Sequence, residues 1–407
     1  MAVTDQRDHT RHVALDRETV DARQTGPGSQ SMWDAPEALY VHVPFCRHRC
    51  GYCNFSVVTQ RDDLQPAMVD AMIAELDGLA GQRQTMRSVF LGGGTPTHLR
   101  IDELARLIDA IDQVFSVAPD AEISIEANPE DITSTLCEQI AALGINRMSL
   151  GVQSFDDRKL STLERSHNGA QARDAVSAAA ASIGNVSIDL IFGCPEEPLE
   201  TWQHDVDIAV SLPLDHVSTY ALTVEKGTAF WNRFRRGELL GIDEDVELGM
   251  IEFAESTFDQ AGLKRYEISN FARQNRRCRH NISYWSGASW HAIGPGAARF
   301  VDGVRSVNHR SPTTYLRRVQ SGQSPTAESE SLTAEQAARE RAAFGVRMID
   351  GIDLDLIADA TEFDLVGAIE SELAELSMQG LIDRHCNHIR LTERGKLFAD
   401  TVAARIL

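Results

Sequence analysis

The stretch YVHVPFCRHRCGYCNF, residues 40–55, packs three of the chain's seven cysteines, Cys46, Cys50 and Cys53, into eight residues with the spacing C-x3-C-x2-C. It follows an apolar, alternating segment, residues 39–43, whose period of two predicts a short strand. A strand therefore delivers a metal-binding loop, and Gly51 gives that loop the freedom to wrap its thiolates around one centre. Structural zinc sites are closed by four ligands, usually as two separated pairs. No second C-x-x-C pair lies downstream, although His42 or His48 could complete a zinc site. Iron–sulfur clusters are held by cysteine thiolates, and a cubane held by only three leaves one iron open to a further ligand.

Composition bounds the rest. With 407 residues, 43% of them hydrophobic, the chain suits one large domain plus an appendage and not wholesale disorder. No run of eighteen apolar residues predicts a membrane span, and the first thirty-five residues lack the apolar segment of a signal peptide, so the expected location is cytoplasmic. The four remaining cysteines, Cys137, Cys194, Cys278 and Cys386, are scattered without a disulfide framework, as suits a reducing compartment. The formal charge of -21, from 39 basic and 60 acidic side chains, argues against binding a nucleic-acid backbone.

Residues 1–36 are polar and aperiodic and read as a flexible leader. From residue 39 strand and helix patterns alternate. Strands are expected at 39–43, 88–91, 121–127, 147–151, 186–192 and 217–222. Helices are expected at 66–79, 102–114, 133–143, 170–181 and 201–212, with Gly144 as a stop signal. Six strands joined in turn by five helices imply a parallel α/β sheet, because parallel pairing needs a crossover.

Polar motifs fall where these strands end. Gly92-Gly93-Gly94-Thr95-Pro96-Thr97 follows the second strand, Glu126-Ala127-Asn128-Pro129 the third, and Ser149-Leu150-Gly151-Val152-Gln153-Ser154 the fourth. Asp189 lies on the fifth. A glycine run admits close approach to the backbone, and polar residues at successive strand ends converge on one cavity in such sheets. Taken singly, Asn128 and Asp189 are also ordinary turn formers.

Together with C-x3-C-x-Y-C, these motifs resemble the radical S-adenosylmethionine (SAM) superfamily. The resemblance implies a partial (β/α)6 barrel and a 4Fe-4S cluster on Cys46, Cys50 and Cys53, with SAM at the open iron. An electron from the cluster would cleave the sulfonium to give a 5'-deoxyadenosyl radical, which needs a reductant such as a flavodoxin or ferredoxin. The resemblance further implies contacts to SAM from Gly93, Gly94, Thr95, Glu126, Gln153, Arg165 and Asp189, with Tyr40 and Tyr52 beside the cluster. It covers residues 39–300, the expected core domain being 37–300.

Within the superfamily the chain is similar to the branch of oxygen-independent coproporphyrinogen III dehydrogenase and its haem-chaperone relatives. The dehydrogenase pattern has a fourth cysteine two residues after the third; here that residue is Phe55. The chaperone pattern H-N-x-x-Y-W stands as His280-Asn281-Ile282-Ser283-Tyr284-Trp285. Function is therefore expected to be haem binding and transfer to acceptor proteins, the alternative being oxidative decarboxylation of coproporphyrinogen III. Histidine is the commonest axial ligand of haem iron and the aromatics offer flat surface, which makes His280 the expected ligand. On composition alone such a cluster is an ordinary buried histidine among core aromatics. Arg273, Arg276, Arg277 and Arg279 form a basic run that would suit haem propionates, or simply a solvated face, and Cys278 is a conceivable thiolate ligand. Gly294-Pro295-Gly296-Ala297 resembles a closing motif near the adenosine. Residues 301–330 read as an irregular connector. Residues 331–407 read as a mainly helical, winged-helix-like domain, whose segment 353–376 has eight acidic and no basic residues, disfavouring DNA.

Overall fold

The computed structural model describes residues 33–80, 84–239 and 241–407. Most of the expected leader, residues 1–32, lies outside them. Residues 33–37 already belong to the core: the Trp33 ring meets Phe300 edge-on at 4.9 Å, and the Glu37 carbonyl accepts from the Arg87 and Ser88 amides.

Six parallel strands stand side by side in chain order: β1 (Ala38–Val43), β2 (Thr85–Gly93), β3 (Ser116–Ala127), β4 (Arg147–Gln153), β5 (Val186–Phe192) and β6 (His216–Ala221). The crossovers are α1 (Gln65–Asp77), α2 (Ile101–Val114), α3 (Ser134–Ala142), the pair α4 (Asp157–Thr162) and α5 (Gly169–Ser182), and α6 (Leu199–Ser211). Sequence dictates their ends. Thr133 caps α3 by accepting from the Leu136 amide, and Gly144 takes φ +83° just past its last turn. Asn168 and Gln171 form a capping box on α5. On β1, Leu39, Val41 and Val43 join Met68, Met72 and Leu76 of α1 in the core. The period of two therefore turns Tyr40 and His42 to the opposite face.

After β6 come α7 (Ala229–Arg235), α8 (Glu244–Gln260), β7 (Lys264–Arg265), β8 (Asn270–Ala272) and α9 (Arg279–Trp285). They are followed by β9 (Trp290–Ile293), β10 (Ala298–Val301), β11 (Val304–Asn308), α10 (Pro312–Gln320) and β12 (Thr326–Ser331). The twelve strands run β12-β11-β10-β9-β1-β2-β3-β4-β5-β6-β8-β7 and do not close, so the barrel is partial, as expected. Residues 301–330 depart from the expected connector: they hold β11, α10 and most of β12, and extend the main sheet by antiparallel pairing. Their polarity misled because β12, TAESES, is an exposed edge strand with almost nothing buried.

The C-terminal part has its own core, around Leu354, Ile369, Leu373, Ile389 and Val402. It comprises α11 (Ala334–Gly345), β13 (Ile352–Asp353), α12 (Leu354–Thr361), α13 (Leu365–Met378), β14 (Ile382–His385), β15 (His388–Leu391), α14 (Glu393–Leu397) and α15 (Ala399–Ile406). Helices followed by the β14–β15 hairpin reproduce the expected winged-helix-like pattern. No helix among the described residues is long and apolar enough to cross a membrane.

Candidate cluster and cofactor site

A cavity of about 150 Å³ lies at the carboxyl ends of β2 to β5. Cys46, Cys50, Cys53 and Tyr52 line it from the loop after β1, and Gly93, Gly94 and Thr95 from the end of β2. Glu126, Gln153 and Asp189 enter from β3, β4 and β5, and Arg165 from the turn after α4. Eleven of the thirteen expected site residues thus share one space. The other two lie elsewhere: Tyr40 lines a neighbouring cavity, and His280 lines neither.

The loop is held from both sides. Its turn closes with the Cys53 amide on the Cys50 carbonyl at 3.1 Å, and the Phe230 amide of α7 donates to the Gly51 carbonyl at 3.0 Å. A side chain at Gly51 would stand 2.6 Å from the Phe230 ring, so glycine is required by packing as well as by flexibility. The glycine run after β2 has a similar reason. The Gly94 amide donates to the Val43 carbonyl at 2.8 Å, and a Cβ there would lie 2.6 Å from the Phe45 carbonyl oxygen. The close approach is to the cysteine loop's own backbone. Burial pushes the Cys46 thiol up to about 12 in the metal-free chain, so a metal would have to displace its proton. Among the described residues no three His, Cys, Asp or Glu side chains stand as a ready-made site for a single ion.

A line of hydrogen bonds joins two of the cysteines. Arg165 donates to Cys50 Sγ at 3.4 Å and to Asn128 Oδ1 at 2.6 Å. Asn128 Nδ2 donates to Thr95 Oγ1 at 2.8 Å, and Thr95 Oγ1 donates to Cys46 Sγ at 3.6 Å. Asn128 makes no side-chain cap of the turn it begins, so the turn-former reading of that residue fails. Sequence reasoning placed it in a motif but gave it no role; the signal was an asparagine at a strand end whose own turn does not use its side chain.

The acidic side of the cavity is electrostatically tense. Burial, aided by repulsion from Asp189, raises the Glu126 carboxyl to about 7, against the Gly93 amide that donates to it at 2.9 Å. Burial also raises Asp189, although hydrogen bonds from Ser218 and Ser149 oppose it. Gln153 sits at φ +66° at the end of β4, and its buried Oε1 has no partner. Gln153 thus combines a strained backbone with an unsatisfied buried acceptor at the rim of the cavity. The following Ser154 explains how that strain is held. Its hydroxyl donates to Asp205 Oδ2 at 2.7 Å, and Asp205 and Glu197 flank the buried Lys159 ammonium at 3.0 and 2.5 Å.

The features assigned to haem land differently. His280 is 1% exposed, with Nδ1 3.1 Å from Ser88 Oγ and Nε2 2.7 Å from Tyr284 Oη. The arginine run is tied up in structure. Arg273 donates to the Leu214 and Ala261 carbonyls, Arg276 pairs with Asp215, Arg277 with Asp350 and Arg279 with Asp120. Arg273, Arg276 and Arg277 precede α9 and Arg279 is its first residue, and none of the four lines the cavity that Tyr284 and Trp285 face. Cys278 is fully buried, with Sγ 3.5 Å from Glu122, and is closed to a macrocycle. Gly296 of the Gly-Pro-Gly-Ala loop lines the neighbouring cavity, not the cysteine cavity. His42, offered as a zinc ligand, has both ring nitrogens engaged by Ser56 and Tyr40.

An open parallel barrel with three cysteines and polar strand ends around one cavity defines a radical SAM protein. The radical SAM superfamily model matches residues 40–209, and the HemN C-terminal domain model residues 332–398. The solved structure of coproporphyrinogen III oxidase (HemN) from Escherichia coli superposes with a TM-score of 0.80 at 21% identity, over 91% of this chain and 90% of that one, which shows a shared fold. "Heme chaperone HemW" of Mycobacterium tuberculosis (strain ATCC 25618 / H37Rv) is 40% identical over 94% of this chain and 97% of its own length. That of Bacillus subtilis (strain 168) is 32% identical over 91% and 99%. The mitochondrial radical S-adenosyl methionine domain-containing protein 1 of Bos taurus is 31% identical over 94% and 90%. The chain belongs to the HemW family of the radical SAM superfamily.

Proposed function

We propose that this chain is a haem chaperone: it binds haem as cargo, passes it to acceptor proteins, and carries a 4Fe-4S cluster and SAM. The observation that carries the reading is Phe55. Where the decarboxylating pattern has a further cysteine, this chain presents a phenylalanine that is 61% exposed and borders both the cysteine cavity and a second, aromatic one. Full-length similarity to proteins named heme chaperone supports it.

The site residues fit the two cofactors. Three thiols at one cavity supply three ligands to a cluster and leave one iron open. Arg165 and Thr95 donate toward two of the sulfurs. Around the open position, Glu126 and Asp189 offer acceptors, and the unpartnered Gln153 Oε1 an amide acceptor, for an amino group and ribose hydroxyls. The unpartnered Arg165 Nε offers a donor for a carboxylate. When bound, the cluster supplies a site that chelates SAM and delivers an electron, for which a flavodoxin or ferredoxin is the proposed donor. Free, scattered cysteines suit a reducing cytoplasm.

One assay on anaerobically reconstituted protein tests the reading. Haem binding without conversion of coproporphyrinogen III to protoporphyrinogen IX is expected; turnover would overturn it in favour of the dehydrogenase. Cys50→Ala is expected to abolish cluster absorption and SAM binding together, and retention of both would remove the cluster assignment.

A further inference from the structure

We propose that the cargo haem sits in the second cavity, between α9, β9–β10 and α11, with Tyr284 as its iron ligand, His280 behind that tyrosine, and Arg341 and Arg310 holding the propionates. This rests on the haem-chaperone reading and assigns its ligand to a residue other than the expected histidine.

The cavity measures about 460 Å³, within the range that encloses a small organic ligand. Trp33, Tyr284, Trp285, Trp290 and Phe300 line it. Phe55 and Phe344, the latter 40% exposed, border it as well. The occupant is thus flat, large and apolar.

Charge says what else it carries. Of the arginines that line the cavity, Arg305 is neutralised by Glu330 and Glu340. Arg341 has no carboxylate in contact among the described residues. It lies over the Trp33 ring at 5.1 Å, feels Asp34 only through space, and keeps a buried Nε without a partner. Its path is built: Gly287, at φ +68°, would place a Cβ 2.5 Å from Arg341 Cγ. The Arg310 guanidinium donates to the main-chain carbonyl of Asn54 and to its side-chain Oδ1, and has no carboxylate in contact among the described residues. Trp285 Nε1 is a second buried donor without a partner. Two uncompensated guanidinium groups and an orphan donor at an aromatic cavity, in a chain of net charge -21, match a flat dicarboxylate.

The ligand follows from what faces the space. His280 does not line it, and Tyr284 does. Both His280 nitrogens are engaged, Nε2 with Tyr284 Oη at 2.7 Å and Nδ1 with Ser88 Oγ at 3.1 Å. Tyrosine is one of the residues that hold haem iron, and here its hydroxyl faces the cavity while the His280 imidazole orients it. When ferric haem binds, one Fe–O bond forms and the Tyr284 O–H bond breaks. The proton is released to solvent, because burial and then the Arg147 guanidinium hold the His280 imidazole down at about 3 and keep it neutral, and no electron moves.

Full-length protein titrated with ferric haem, followed by absorption and electron paramagnetic resonance, tests this. Wild type is expected to give a high-spin spectrum with a tyrosinate charge-transfer band. Tyr284→Phe is expected to lose the band. Arg341→Gln is expected to keep it while binding roughly tenfold more weakly, as loss of one charge-assisted pair requires. An unchanged band and affinity in Tyr284→Phe would overturn the ligand. So would a low-spin wild-type spectrum abolished by His280→Gln. Undiminished affinity in Arg341→Gln would overturn the cavity. If wild type binds no haem at all, the chaperone reading itself falls, before any variant is compared.

Discussion

Arg165 stands with one guanidinium nitrogen 3.4 Å from Cys50 Sγ, and its other terminal nitrogen donates to the Gly151 carbonyl at 2.9 Å as well as to Asn128. One side chain thereby fixes the distance between the cysteine loop after β1 and the end of β4. The planar fork makes this possible: its donors point in set directions, which a lysine ammonium cannot imitate. Arg165→Lys is expected to retain the fold and weaken the cluster, since losing an outer-shell partner typically lowers metal affinity about 10- to 100-fold. Iron release to a chelator, followed by cluster absorption, measures this; wild-type release kinetics would show that the arginine is only packing.

Glu126 gives the cavity a pH dependence. Burial first, and Asp189 second, raise its carboxyl to about 7, so near neutrality it is partly protonated in the free chain. A cationic ligand seated beside it favours the carboxylate and expels the proton. SAM affinity is expected to fall as pH drops below 7, by up to about tenfold per pH unit from this group. The ligand's own amine titrates too, so the informative quantity is the difference between wild type and Glu126→Gln. Parallel affinity profiles for the two proteins would remove Glu126 from the contact.

Beneath the cavity, Lys159 is 3% exposed between Glu197 and Asp205, themselves 2% and 0% exposed. Lys159→Met keeps the volume but leaves two carboxylates without a cation in the interior. Breaking a buried pair by removing one partner costs about 3–5 kcal/mol, so a large drop in the urea midpoint is expected. Because Asp205 also receives the Ser154 hydroxyl and the Phe155 amide, the end of β4 should loosen with it. A midpoint within experimental error of wild type would mean the carboxylates find other partners.

Much of this was legible in the sequence where local spacing and global fold agree. The cysteines, the glycine run, Glu126, Gln153 and Asp189 all belong to strand ends, and parallel strand ends converge by construction. The basic run was expected beside haem because it neighbours His280 in sequence, and the fold gives its arginines partners of their own. Arg273 to Arg279 lie before α9 and at its first residue and pair with Leu214, Asp215, Asp350 and Asp120, whereas Arg341 comes from α11, more than fifty residues away. Nothing local distinguishes Arg341 from Arg339, which pairs with Glu335 one turn earlier on the same helix. Lys159 carried no signal either: a lysine on a short helix reads as surface, and only the fold brings Glu197 and Asp205 to it.

His216 tests how the barrel interior responds to acid. It is 0% exposed, between Ser187 Oγ at 2.8 Å and Tyr266 Oη at 2.9 Å. Burial, and then the buried Arg147 guanidinium, hold its imidazole neutral well below the ordinary value of 6.5. The folded value is lower than the unfolded one, so below 6.5 the unfolded chain binds the extra proton. The stability due to the neutral ring is complete above that pH and is lost as pH falls beneath it. Buried carboxyls with raised values, such as Glu126, act in the opposite sense, so the total slope mixes several groups. They are common to wild type and His216→Gln and cancel in the difference. The variant is expected to be less stable at pH 7.5. As pH falls below 6.5, the gap should close by up to about 1.4 kcal/mol per pH unit. Urea unfolding of both proteins at pH 7.5 and 5.5 measures the gap, and a constant difference between them would show that His216 does not titrate on unfolding.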